Sequence, residues 1–130
     1  MQQANRVQER KPLNLLISKR VILLTFAGGV LGTWARWVFA GFFDTYGTLF
    51  LVNVVGSLLL GFVNLHPKFQ SDESKAFWAI GLCGGFTTMS AVALWLFQSQ
   101  NVLFIAIPQV VLMFAAGIAA YFAGTKLVRK

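Results

Sequence analysis

One cysteine, one histidine and four acidic residues in 130 positions leave little with which to do chemistry. A lone Cys83 excludes an internal disulfide and any multi-cysteine metal site. Most hydrolytic and metal-dependent reactions need more acids and imidazoles than these, so no enzyme is expected. Charged residues make up only 12%, about half the share of an ordinary soluble domain, while 57% are hydrophobic. Thirteen Phe and four Trp exclude a disordered chain, which goes with few aromatics. The length allows one domain. With a mean hydropathy of +0.69, the surplus points to lipid.

What charge there is carries one sign, with a net value of +7. Five of the eleven basic residues precede Val21 (Arg6, Arg10, Lys11, Lys19, Arg20), and three follow Gly124 (Lys126, Arg129, Lys130). Lys68 and Lys75 share one polar loop, and Arg36 alone interrupts an apolar run. Bases that flank apolar runs follow the positive-inside pattern and attract anionic membrane lipid. A nucleic-acid surface would carry them along one face of a folded element, so no nucleic-acid partner is expected.

A helix needs about 20 apolar residues to cross the hydrocarbon. The chain offers four such stretches: 21–43, 47–65, 76–97 and 102–124. Between them lie the turn Asp44-Thr45-Tyr46, the polar segment 66–75 and the uncharged turn 98–101. Pro67 helps to stop the second stretch, and Pro108 is expected to kink the fourth. The pattern predicts an all-α, multi-pass protein of the cell membrane. Residues 1–20 read as a basic cytoplasmic tail too polar for a cleaved signal peptide, 21–125 as a four-helix transmembrane domain, and 126–130 as a second basic tail. With both termini cytoplasmic, ten basic residues lie on that side and none in the outer turns, a strong bias for one orientation.

Several residues inside the spans are out of place in plain lipid. Gly28 with Gly32 and Gly81 with Gly85 form GxxxG pairs, which usually serve close helix packing. The third span places three glycines and three hydroxyls together in Gly81-Leu82-Cys83-Gly84-Gly85-Phe86-Thr87-Thr88-Met89-Ser90. Such a cluster predicts a helix broken at mid-membrane, as at ion and substrate sites. The alternative is a kink whose hydroxyls bond back to the preceding turn. Asn53, near the middle of the second span, either glues helices or lines a path. Arg36 is either an intramembrane functional charge or a side chain that snorkels to the outer headgroups. Every polar side chain in this set can donate a hydrogen bond, and no Asp, Glu or His lies within a span. A donor-lined route without acids favours an anion over a proton-coupled cation.

Three blocks of the sequence resemble the Fluc-type, CrcB-like family of fluoride channels. Gly28-Gly29-Val30-Leu31-Gly32-Thr33-Trp34-Ala35-Arg36-Trp37 is similar to the family's GGxxGxxxR signature. Gly47-Thr48-Leu49-Phe50-Leu51-Val52-Asn53-Val54-Val55-Gly56-Ser57 resembles its GTLxxNxxGS block, and residues 81–90 resemble its GxCGGxTTxS block. The resemblance implies an antiparallel, dual-topology dimer with two fluoride pores along the subunit interface. It assigns Asn53, Thr88, Ser90 and Arg36 to the pore and its vestibule. It also implies a structural Na+ at the dimer interface, held by the backbone carbonyls of Gly84 and Thr87 of both subunits. The family's TTFSTF run reads Thr87-Thr88-Met89-Ser90-Ala91-Val92 here, so both pore phenylalanines are replaced, by Met89 and Val92. From Val102 to Ala120 the fourth span has no Ser, Thr or Tyr, where the family often carries a hydroxyl.

The sequence thus points first to a fluoride-selective channel subunit, passing cytoplasmic fluoride passively down its gradient and so giving fluoride resistance. A second reading is a non-conducting assembly partner of a fluoride-channel paralogue. A third, a four-helix proton-coupled exporter of cationic compounds, needs a membrane-embedded Glu that residues 21–43 lack. The partner in the membrane is expected to be a paralogous subunit in antiparallel orientation or a second copy of this chain, and the charge bias favours the paralogue.

Overall fold

The computed structural model describes residues 19–128, and every described element is helical. The expected tail 1–20 and its bases Arg6, Arg10 and Lys11 therefore fall almost wholly outside the described residues, as do Arg129 and Lys130. The first span is helix α1, Lys19–Ala40. It stops short of Phe43 because its last turn tightens: Gly41 N–H donates to Val38 O and Phe42 N–H to Phe39 O, at 3.1 and 3.0 Å. Helix α2, Thr45–Leu65, starts on an Asp44 cap whose carboxylate accepts Gly47 N–H at 3.2 Å. It ends at His66, held extended (φ −72°, ψ 126°), as a residue before proline prefers.

The third span begins earlier than the apolar pattern indicates. Pro67–Phe69 form a 3-10 turn, and Asp72–Lys75 form a first helical turn, α3. Ser71 Oγ accepts Ser74 N–H at 3.2 Å, with Asp72 and Glu73 in the first turn. That arrangement is a good N-terminus for a helix. The chain continues as a π-helix, Ala76–Cys83, then one α turn, α4, Gly84–Phe86. After α4 the backbone leaves helical geometry at Thr87 (φ −77°, ψ 158°) and returns in α5, Ser90–Gln98. The fourth span opens with a π-turn, Val102–Ala106, where Asn101 O accepts both Ile105 and Ala106 N–H at 3.2 Å. Helix α6, Ile107–Val128, follows. Pro108 lies inside a span that is helical from Val102, directly after the wide π-turn, the kind of local adjustment that re-satisfies the backbone around a proline.

Four stretches are long and apolar enough to cross a membrane: Lys19–Ala40, Thr45–Leu65, Asp72–Gln98 and Val102–Val128. Glycine decides how they pack. A Cβ on Gly28 would collide with the Phe77 carbonyl and lie 3.1 Å from Gly81 Cα. One on Gly85 would lie 2.5 Å from the Gly29 carbonyl. The two GxxxG pairs thus face each other and bring α1 onto the third span, backbone on backbone. A second glycine contact joins α2 to α6: a Cβ on Gly61 would strike the Tyr121 carbonyl, and one on Gly124 the Leu58 carbonyl. The buried core is small, centred on Leu49, Val92 and Met113. Large apolar side chains such as Trp37 (72% exposed) and Phe97 (85% exposed) face outward, as lipid contact requires.

Candidate functional site

The interruption of the third span sets the site. A break in a helix frees backbone groups that lipid cannot satisfy, so other helices must meet them. Arg36, from α1, donates from Nη1 to the Thr87 carbonyl at 3.1 Å. Its guanidinium therefore turns to the break in the third span. Asn53, from α2, accepts Thr88 N–H on Oδ1 at 3.0 Å and donates from Nδ2 to Thr88 O at 3.3 Å. The same Nδ2 donates to Leu49 O at 2.8 Å and lies 3.6 Å from Met113 Sδ. Both hydroxyls of the expected polar track are engaged as well. Thr88 Oγ1 accepts Ala91 N–H at 3.2 Å and pairs with Ser90 Oγ at 3.3 Å. Thr87 makes the back-bond of a kinked helix, Oγ1 to Cys83 O at 2.9 Å, while its backbone also leaves the helix.

Two clefts meet at this point. One, of about 350 Å³, is lined by Asn53, Ser57, Gly84, Thr87 and Met89 among others. The second, of about 400 Å³, is lined by Arg36, Thr33, Thr45, Thr48 and Thr88 among others. Side chains of successive residues in an extended stretch point to opposite sides, which is why Thr87 serves one cleft and Thr88 the other. Neither lining contains an acidic residue or a histidine. Gly84 is exposed, and a Cβ built on it meets nothing within 4 Å. The helical donor to its carbonyl would be Thr88 N–H, and that group donates to Asn53 instead.

The two positions that carry phenylalanine in the resembled signature part company. Met89 is exposed and lines the first cleft, whereas Val92 is buried against Leu49 and Met113. Sequence reasoning missed Met113, whose sulfur reaches Asn53, and Gln109. Gln109 Oε1 is buried without a hydrogen-bond partner among the described residues, while its backbone carbonyl accepts from Tyr46 Oη at 3.1 Å. An amide in the most apolar span was a visible signal for Gln109. Nothing in the sequence distinguished Met113 from a gap-filling core residue.

The fold is all-helical, with four segments long and apolar enough to cross a membrane, as in a multi-pass membrane protein. The chain belongs to the CrcB-like protein family (Camphor Resistance, CrcB), whose profile matches residues 23–125. It is 37% identical over 115 residues to the fluoride-specific ion channel FluC 2 of Rhodococcus jostii, covering 82% of this chain and 96% of that relative. It is 34% identical over 119 residues to the fluoride-specific ion channel FluC of Chlorobaculum tepidum, covering 83% and 94%. A second protein of R. jostii, FluC 1, is 45% identical over 67 residues, about half of each chain. No solved structure matches. The relatives are named as ion channels, not as enzymes.

Proposed function

We propose that this chain is a subunit of a fluoride-selective channel, letting cytoplasmic fluoride leave passively through the cell membrane. The observation that carries the reading is the break at Thr87–Thr88, flanked by two clefts whose polar lining has hydrogen-bond donors and no acids. Fluoride leaving water must have its hydrogen bonds replaced. Arg36, Thr88 and Ser90 supply donors of that kind, Asn53 lies beside them with its amide hydrogens on backbone carbonyls, and Arg36 adds a positive potential that concentrates anions. Met89, without an electropositive ring edge, contributes bulk to the first cleft and no ion contact.

A functional pore on this reading needs a second chain in antiparallel orientation, across the face where Gly84 and Met89 are exposed. Backbone oxygens suit a hard cation such as Na+. Gly84 fits that role, since its carbonyl has lost its helical donor and no side chain stands over it. Thr87 fits through the second lone pair of a carbonyl whose first is held by Arg36. Gly84 and Thr87 of both chains would then hold a structural sodium that fixes the two breaks against each other. The mate is a paralogue biased the other way: ten bases on one side and none in the outer turns orient this chain with its termini in the cytoplasm. Two fluoride-channel relatives in one organism, R. jostii, make such pairs of paralogues a reasonable arrangement.

The test is efflux from liposomes loaded with fluoride or chloride, with this chain alone and with an oppositely biased paralogue. Fluoride efflux from the pair, with chloride far slower, is expected. Comparable chloride and fluoride rates would overturn the fluoride reading. Pair efflux that persists when this chain's Arg36 and Asn53 are both replaced, but stops when the same residues of the paralogue are, would make it the non-conducting assembly partner.

A further inference from the structure

We propose that Arg36 and Asn53 are positioning residues forming a two-sided clamp on the Thr87–Thr88 backbone, and that the clamped shape, more than direct contact by the Asn53 amide, sets ion selectivity. The proposal rests on the channel reading above. Its ground is an account of where the freed groups go. In a continuous helix, Thr88 N–H would bond to Gly84 O, and the Thr87 carbonyl would receive Ala91 N–H. Here Thr88 N–H goes to Asn53 Oδ1 at 3.0 Å, and Ala91 N–H goes to Thr88 Oγ1 at 3.2 Å. These shifts release the carbonyls of Gly84 and Thr87, and the carbonyls of Thr87 and Thr88, the residues at the break, are met from outside the span. Arg36 holds that of Thr87 at 3.1 Å, and Asn53 Nδ2 holds that of Thr88 at 3.3 Å.

The Asn53 amide pairs with both the N–H and the C=O of one residue, as a neighbouring β-strand would. A primary amide is the side-chain group that offers an acceptor and a donor side by side. Its other N–H is committed to Leu49 O at 2.8 Å, so neither amide hydrogen points unengaged into the cleft. An ion that took one would have to displace a backbone carbonyl. Thr88, the residue so gripped, is 8% exposed and caps the start of α5 through its hydroxyl. The grip from α2 therefore fixes where α5 begins, and the grip from α1 fixes the residue before it.

The experiment uses the full chain reconstituted with its partner and compares wild type, Asn53→Ala, Arg36→Met and the double variant. Two quantities are read: hydrogen exchange at the Thr88 amide, and the chloride-to-fluoride efflux ratio. Each single substitution should speed Thr88 exchange about tenfold or more, the loss expected for one buried hydrogen bond. Each should also raise the efflux ratio. The double variant should be no worse than the worse single one, because both residues grip one segment. Thr88 exchange unchanged in Asn53→Ala, or effects on the ratio that multiply, would overturn the clamp. Should Asn53→Ala not fold, Asn53→Asp keeps the acceptor for Thr88 N–H and must keep its protection, and loss of protection there also overturns the proposal. The exchange arm needs no conduction. Exchange as expected with no fluoride flux sinks the channel reading and leaves the clamp; flux with unresponsive exchange does the reverse.

Discussion

Two glycines close together in the same structure should respond to alanine in opposite ways. A Cβ on Gly32 would collide with the Leu82 carbonyl, lie 2.7 Å from the Phe86 nitrogen and 3.1 Å from the Gly85 carbonyl carbon. Non-bonded atoms settle at about 3.5–4.0 Å, so α1 must retreat by roughly 1 Å. Overpacking of that kind costs about 1–3 kcal/mol. The retreat also acts on Arg36, one turn further along α1. Its 3.1 Å bond to the Thr87 carbonyl would stretch past hydrogen-bond reach. A further loss of about 1–2 kcal/mol follows for a partly exposed, charge-assisted bond. The total, roughly 2–5 kcal/mol, is a large share of the about 5–15 kcal/mol that holds a typical native protein.

Gly84→Ala is the counterpart. Gly84 is helical (φ −65°, ψ −36°) and an added Cβ meets nothing within 4 Å. Alanine is the better helix former by about 1 kcal/mol, so the chain itself should be unchanged or slightly more stable. If Gly84 faces an antiparallel mate, the same substitution should lower the assembled fraction while leaving the fold intact. Unfolding in mixed detergent micelles, followed by far-UV circular dichroism, measures the first effect, and cross-linking in membranes the second. Equal unfolding midpoints for Gly32→Ala and Gly84→Ala would refute the reasoning.

Gln109→Leu should stabilise the isolated chain by about 1 kcal/mol, because it removes a buried oxygen that has no partner. The same unfolding titration checks it, and a lower midpoint would mean that Gln109 makes a bond that matters. Expressed alone, the chain should show both termini on the cytoplasmic side in nearly every copy, as read by thiol labelling of single cysteines added at either end. An even split between the two sides would remove the argument for an unlike partner.

How much of this was legible in the sequence depended on how local the cause was. The four spans are plain from apolar length alone, and the facing GxxxG pairs are visible as spacing. The start of the third span was misjudged because the polar run 66–75 reads as loop, although Ser71-Asp72-Glu73 already carries a helix-start signal. The end of α1 at Ala40 is only weakly legible: Gly41 follows directly, but a glycine in an apolar run also reads as helix packing, and Phe42 and Phe43 forbid no further turn. From the sequence Asn53 reads equally as glue or as path, because one amide bonds its own helix and both backbone groups of Thr88. That pairing joins residues 35 apart in sequence, and no periodicity reports it. The second glycine contact, Gly61 on the Tyr121 backbone and Gly124 on the Leu58 backbone, is not legible because those glycines lie on different helices and form no motif.

The charge on Arg36 carries the argument for an anion further than its hydrogen bond does. Among the described residues no carboxylate lies within ion-pair distance of it, and its partner is a neutral carbonyl. A guanidinium inside a span costs at least about 2.5–3.5 kcal/mol. A neutral donor could satisfy the Thr87 carbonyl without that cost, so on the proposed channel reading the charge has a second use, acting on the permeating anion. The cleft it faces also holds Thr33 and Thr48, whose hydroxyls donate to Gly85 O and Phe43 O at 3.4 Å, near the limit of a hydrogen bond. Donors held that loosely can turn to an ion at little loss. A cation would be repelled by the guanidinium and find no carboxylate to bind. A neutral solute would gain nothing from the charge. A small anion gains from both the potential and the hydroxyls, and fluoride, which gives up the most hydration on entry, has the greatest need of them.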